Sequence, residues 1–289
     1  MKDELQQISD FFELGVITET EEASGNSNRN SYITTSTGKY LIKIIEERND
    51  ASEVASEIPY VKRLKGNLKI IPYIENQNGE SLFHKDKTIA LAQPFVENIP
   101  VERSEAVILQ LVEEQARLHQ IDPSDLPQRQ HWINLGYIAR ALKEIEENNW
   151  MANTEVLKNH PAATQDWSSC ESGIIHGDLH LSNTLFNQNK ELLAIIDWEE
   201  VGIGHYVLDF AITISAFCFD NKKLNKELLE KMISVYEKER LLSDIEKQLL
   251  DIAIQRAFIT AFVWKCLRKH RQGDETVWDA KDCNCFTYF

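Results

Sequence analysis

The sequence predicts an α+β fold of two lobes, a small β-rich lobe over residues 1–97 and a larger, mainly helical lobe over 98–289. Three observations carry this. Two β-type runs flank a short glycine turn near the N-terminus. Stretches of helical period dominate after residue 100. A compact β-turn-β block, Gly173–Asp197, interrupts those helices. A chain of 289 residues is long for one core, which suits one large domain or two lobes.

Residues 4–14 read as a helix with Leu5, Ile8, Phe11 and Phe12 on one side. A polar, turn-rich stretch follows, 23–31. Tyr32–Thr35 and Tyr40–Ile45 then form a hairpin around Thr37-Gly38. Residues 50–65 carry Val54, Ile58, Val61 and Leu64 at helical spacing, with Pro59 placed to kink or divide the helix. Lys69–Ile74 and Thr88–Pro94 are short β-like runs. After Pro94–Pro100 comes a helix from an N-cap at Ser104 through His119, then helices at 133–148, 221–240 and 244–270.

Lys and Arg number 31 against 46 Asp and Glu, a net charge of −15. Such a surface repels nucleic acid and anionic lipid, so neither is expected as a partner. The N-terminus lacks the apolar core of a signal peptide, and no run reaches the roughly 18 apolar residues of a membrane span. Five cysteines at scattered positions make no disulfide framework. A reduced, cytoplasmic setting is the expectation.

The chemistry lies in Ile174-Ile-His-Gly-Asp-Leu-His-Leu-Ser-Asn-Thr-Leu-Phe186 and Leu192-Leu-Ala-Ile-Ile-Asp-Trp-Glu199. An apolar run delivers His176-Gly177-Asp178 to a loop, and Asn183 follows Asp178 by five residues. A hairpin would bring Asn183, at the start of one strand, beside Asp197, at the end of its partner. Two hard oxygen donors and a nearby carboxylate suit phosphoryl transfer. Magnesium takes one or two protein oxygens, and the reaction needs alignment and charge neutralisation more than covalent help. A single loop Asp or Asn is ordinarily turn chemistry; the order and spacing of the set carry the case. His176 and His180 are four apart, but they span a loop rather than a helix face, which argues against zinc.

His-Gly-Asp-Leu-His-x-x-Asn, Ile-Asp-Trp-Glu and Gly204…Leu208-Asp209-Phe210-Ala211 resemble the aminoglycoside phosphotransferase/choline kinase superfamily, whose fold is protein-kinase-like and bilobal. The resemblance implies an ATP- and magnesium-dependent transfer to a hydroxyl of a small molecule. Residues 1–97 become the nucleotide-binding lobe, and 98–289 the catalytic and substrate-binding lobe. It implies Asp178 as catalytic base, Asn183 and Asp197 as magnesium ligands, and Asp209 as a buried carboxylate steadying the loop. His176 and His180 become structural. Lys43, alone in the apolar run Leu41–Ile45, corresponds to the lysine that contacts the nucleotide's phosphates and pairs with a helix glutamate, Glu57 or else Glu53. Ser24, Gly25, Ser27 and Asn28 would cover the phosphates, although this loop has one glycine and departs from the protein-kinase pattern. Pro94, Phe95 and Val96 would form the hinge whose backbone bonds adenine.

Only eleven residues separate Asp197 from Asp209, too few for a protein kinase's activation segment. Phe11–Gly15, Ser31–Leu41 and Ile252–Arg268 resemble bacterial homoserine kinases of this fold, which favours a homoserine-like amino alcohol. Arg256 and Arg268 are then candidates for its carboxylate. The alternative, an aminoglycoside, choline or ethanolamine, would use Glu199, Glu200, Trp198 and Trp264 to hold an amine. A non-catalytic nucleotide-binding module is the reading from another class, and it predicts loss of Lys43, Asp178, Asn183 or Asp197. All four are present.

Overall fold

The structure, a computed structural model, describes residues 2–23, 28–46, 50–129, 136–220 and 223–286. The chain divides into two compact units. The first is Met1–Val101 with Thr184–Glu199, and the second is Glu102–Asn183 with Glu200–Phe289. The first unit is built on antiparallel β-sheet and the second is mainly helical, as an α+β, protein-kinase-like chain requires.

In the first unit, helix α1 (Lys2–Phe11) precedes strands β1 (Ile17–Ala23), β2 (Asn28–Thr35) and β3 (Lys39–Ile45). Helix α2 (Ala51–Leu64) follows, then β4 (Phe83–Lys85) and β5 (Thr88–Pro94), in sheet order β1-β2-β3-β5-β4. Alternation sorts the sheet's two faces. Ile33, Ile42, Ile44, Ala90 and Ala92 pack with Leu5 and Ile8 of α1 and with Phe12 just beyond it. Ile45, Ile89 and Leu91 pack with Val54 of α2 on the other side. Lys43, opposite Leu91 in the ladder, shares the parity of this second face. Helix α1 ends earlier than its apolar pattern does: Glu13 takes φ 58° and the Leu14 N–H returns to the Ser9 carbonyl at 2.9 Å.

Three expectations change. Strand β1 lies where no β pattern was read, because its burial is confined to its ends and its middle is Thr-Glu-Thr-Glu-Glu. Lys69–Ile74 is no strand; Ile70 makes one isolated bridge to Ile195. Helix α2 runs unbroken through Pro59, held by an Asp50 cap on the Ser52 N–H.

The hairpin of Thr184–Phe186 and Leu192–Ile195 falls in the sequence range of the second lobe but packs in the first unit. Its Ile195 N–H donates to the Lys69 carbonyl at 2.7 Å, and its Phe186 carbonyl accepts from the Ile99 N–H at 2.9 Å. These backbone bonds give the hairpin's edges partners that a two-stranded ribbon lacks.

The second unit comprises α3 (Glu105–Leu118), α4 (Tyr137–Glu147), two short helices α5 (Glu155–Lys158) and α6 (Pro161–Thr164), then α7 (Tyr206–Phe217), α8 (Lys226–Glu239) and α9 (Asp244–Arg271). Ser104 occupies the N-cap position of α3 without a side-chain cap bond, whereas Ser243 and Glu246 form a full capping box on α9. Ile138, Leu142 and Ile145 of α4 bury against Ile259, Val263 and Leu267 of α9. No helix among the described residues is long and apolar enough to cross a membrane.

Ser172–Ile175 pairs antiparallel with Gly202–His205, placing Gly173 opposite Gly204. A Cβ on Gly173 would meet the Tyr206 hydroxyl at 1.9 Å. Gly173→Ala is therefore expected to cost about 1–3 kcal/mol by overpacking. Urea denaturation measures it, and an unchanged midpoint would show that the Tyr206 ring moves aside freely.

Candidate active site

Each unit gathers its own set of polar side chains. In the first, the Lys43 ammonium donates to Asp197 Oδ1 at 2.7 Å and to Glu199 Oε2 at 3.0 Å. The Asn28 amide also donates to Glu199 Oε2, at 3.0 Å, and its carbonyl takes the Glu46 N–H. Burial works against the ammonium, but the two carboxylates outweigh it and raise the Lys43 pKa. Asp197 sits at φ 65°, a left-handed conformation that Asp tolerates better than most side chains.

Glu57 was the expected partner of Lys43. It lies on the buried face of α2, and its carboxylate accepts from the Tyr73 hydroxyl at 2.7 Å. Glu53 is exposed at the start of the same helix. The carboxylates on the Lys43 ammonium thus come from the Asp-Trp-Glu segment. Glu199, a candidate substrate contact, holds Lys43 and Asn28. Trp198 between them is 2% exposed and donates its indole N–H to the Ile195 carbonyl, so it is core rather than an amine-binding aromatic.

Asn28 belongs to β2, paired with Ile45, rather than to a loop. Ser24, Gly25 and Ser27 lie outside the described residues. In the segment expected as a hinge, Pro94 ends β5, the Phe95 N–H donates to the Lys39 carbonyl at 3.0 Å, and the Val96 carbonyl accepts from Asn98. The Phe95 ring meets Tyr32 edge-on, with the Lys39 ammonium 4.2 Å from its centroid. The Phe95 N–H is therefore already used by the sheet.

In the second unit, Ser172–Ile175 delivers a buried His176 whose Nδ1 accepts the Asp178 N–H at 3.2 Å. Gly177 takes φ 82°, which sharpens the turn. The Asp178 side chain is half-exposed. Its Oδ2 lies 3.2 Å from His180 Nε2 and accepts from the Asn183 amide at 3.2 Å. That amide also donates to the Asp178 carbonyl at 2.9 Å. His180 Nδ1 is 2.7 Å from the Ser182 hydroxyl. Asn183 thus uses its N–H groups on Asp178, which orients its amide oxygen as the end suited to a cation.

Beneath the loop, Asp209 is fully buried. Its Oδ1 accepts the Gly177 N–H at 2.6 Å, and its Oδ2 accepts from Gln115 at 2.8 Å and meets His119 Nε2 at 2.9 Å. Burial favours the neutral acid, but the hydrogen bonds from His119 and Gln115 hold its pKa down to about 2. Gln115 of α3 and His119, which caps it, carry no sequence signal that sets them apart from the helical pattern.

Arg256 is 4% exposed, and its Nη1 donates to the Ala162 carbonyl at 3.1 Å and the Ala163 carbonyl at 3.5 Å. Its place is the join between α6 and α9 rather than a carboxylate clamp. Arg268 lies over the partly exposed Trp264, 5.2 Å from its ring.

A family model described as the phosphotransferase enzyme family matches residues 19–272. The chain belongs to this family. It is a small-molecule phosphotransferase. It is similar to a homoserine kinase of Caulobacter sp. (strain K31), 24% identical over 286 residues, covering 90% of this chain and 84% of that protein. Among solved structures it is similar to amicoumacin kinase in complex with AMP-PNP, Ca2+ and amicoumacin, with a TM-score of 0.70, 14% identity and coverage of 97% and 92%. The ethanolamine kinase of Plasmodium vivax has a TM-score of 0.65 at 15% identity, with coverage of 89% and 78%.

Proposed function

We propose that this phosphotransferase moves the γ-phosphoryl group of ATP, with magnesium, to the hydroxyl of a homoserine-like amino alcohol. The observation that carries the reading is Asp178: a half-exposed carboxylate on a loop anchored from below, with two neighbouring side chains orienting it. In this role Asp178 accepts the proton of the attacking hydroxyl. Lys43 binds the nucleotide's phosphates, and Glu199 keeps its ammonium in place. Asn183 and Asp197 offer hard oxygen donors of the kind magnesium prefers. Magnesium takes most of its shell from phosphate and water, so one or two protein oxygens suffice. A bound magnesium ion would supply charge neutralisation at the transferring phosphoryl group. The base, both metal ligands and the lysine are retained together, which favours turnover over a non-catalytic binding module.

Homoserine kinases among the relatives favour an amino-acid acceptor. With Arg256 held on main-chain carbonyls, Arg268 is the remaining candidate of the two for the acceptor's carboxylate. A coupled ADP-release screen over homoserine, choline, ethanolamine, aminoglycosides and sugars tests the reading. Homoserine is expected to stimulate ADP release by about tenfold or more over the acceptor-free rate, since acceptor binding is realised in the transition state. Stimulation by an amine or aminoglycoside alone would move the acceptor class. Nucleotide binding with no stimulated turnover would leave the non-catalytic module.

A further inference from the structure

The support beneath Asp178 continues past Asp209 into a buried series of side chains that the phosphotransfer reading does not use. Two contacts to Asp209 are with obligate donors, the Gly177 N–H and the Gln115 amide. Its third, His119 Nε2, faces the same carboxylate, so this nitrogen carries the proton and Nδ1 is left to accept. The Tyr236 hydroxyl stands 2.6 Å from Nδ1 and donates to it. The Tyr236 oxygen in turn receives Arg240 Nη1 at 3.2 Å. Arg240 is fixed by Glu246, at 2.8 and 3.0 Å, and by Glu171 at 2.8 Å. Tyr206 stacks on His119 at 4.6 Å, and Phe210 on Tyr236 at 4.3 Å, fixing both ring planes.

Every proton in the series points one way, from the Arg240 cation toward the Asp209 carboxylate. Aligned hydrogen bonds of this kind polarise one another, and burial strengthens each. Asp209, His119, Tyr236, Arg240 and Glu246 are all buried. Burial also lowers the His119 pKa, consistent with a neutral ring. The series ends on the N–H of Gly177, the residue immediately before Asp178.

We propose that His119 and Tyr236 are positioning residues for phosphoryl transfer: their directed hydrogen bonds from Arg240 keep the Asp209 carboxylate aimed at the Gly177 N–H and so fix the placement of the Asp178 carboxylate. The proposal rests on the reading of Asp178 as the base. His119→Leu removes the donor at similar volume, His119→Gln restores an N–H toward Asp209, and Tyr236→Phe removes only the hydroxyl.

Steady-state kinetics, corrected for folded fraction by a thermal melt, give the first measurement. His119→Leu is expected to lower kcat about 10- to 100-fold with the ATP KM within about twofold, the scale of one lost charge-assisted hydrogen bond. Tyr236→Phe should lower kcat about three- to tenfold, and His119→Gln should recover most of the loss. If His119→Leu keeps kcat within about twofold of wild type, or His119→Gln falls as far as His119→Leu, the proposal is wrong. Should His119→Leu fail to fold, Tyr236→Phe decides on the same kcat and KM criteria.

Hydrogen–deuterium exchange supplies a readout independent of turnover. Residues 176–183 should exchange at least about tenfold faster in His119→Leu and Tyr236→Phe, with α3 and α7 as protected as in wild type. Unchanged protection at 176–183 overturns the proposal even if no acceptor is ever found. If wild-type protein turns over no acceptor while the two variants show the exchange effect, the assigned reaction is refuted and the positioning network is kept.

Discussion

Asp178→Ala is expected to lower kcat by about 10²- to 10⁴-fold, the span of a lost general base. Its folding and ATP affinity should change little. The side chain is half-exposed, and its partners His180 and Asn183 are on the same loop, so no buried group is orphaned by its loss. The Asp178 main-chain carbonyl that holds Asn183 survives the substitution. Steady-state kinetics with the acceptor found by the screen, alongside a thermal melt, measure the two halves of the expectation. Retention of most of the wild-type kcat would remove Asp178 from the base role. A drop in melting temperature matching the loss of rate would make it a structural residue instead.

The second large effect is expected at Asp197. Asp197→Asn keeps a side chain that tolerates φ 65°, so the backbone conformation should persist. What changes is charge. The Lys43 ammonium loses one of its two carboxylates, the one at 2.7 Å, and a proposed metal ligand becomes neutral. The expected result is a kcat reduced by about 100-fold or more, with weaker binding of magnesium nucleotide. Calorimetric titration of the nucleotide with and without magnesium checks it, manganese giving at most partial rescue. An affinity in wild type that EDTA leaves unchanged would dismiss Asn183 and Asp197 as metal ligands.

The two-lobe α+β architecture was legible because its carriers are local. Tyr32–Thr35 and Tyr40–Ile45 alternate and flank a glycine turn, and they pair with Tyr32 opposite Leu41. The segments 50–65 and 244–270 carry helical spacing and become α2 and α9. Strand β1 was illegible because an exposed strand with glutamates along it has no apolar alternation to read. Helix α7 was missed for the opposite reason. Nine of its twelve residues are buried, so its apolar pattern has no polar face to set a period.

The candidate site divides along the same line. Asp178, Asn183 and Asp197 stand in short motifs whose spacing can be read. The groups on Lys43 and Asp209 are joined by the fold alone. Glu199 lies 156 positions from Lys43, and His119 lies 90 from Asp209. Arg256, a candidate for the acceptor's carboxylate by resemblance, is placed by the fold instead: its Nη1 donates to two main-chain carbonyls at α6.

The route of the chain through its two units has a consequence for synthesis. The first unit is left after Val101, re-entered at Thr184 and left again after Glu199. Lys43 and Asp197 are 154 positions apart. At ribosomal rates of roughly 5–20 residues per second, Lys43 emerges on the order of ten seconds or more before the carboxylates it will pair with. Through that interval the nascent sheet carries a lysine on its α2-facing side without those counter-charges, which disfavours closing that side early. The N-terminal unit is therefore completed late in translation, and a fragment ending at Val101 would lack the segment that neutralises its own interior.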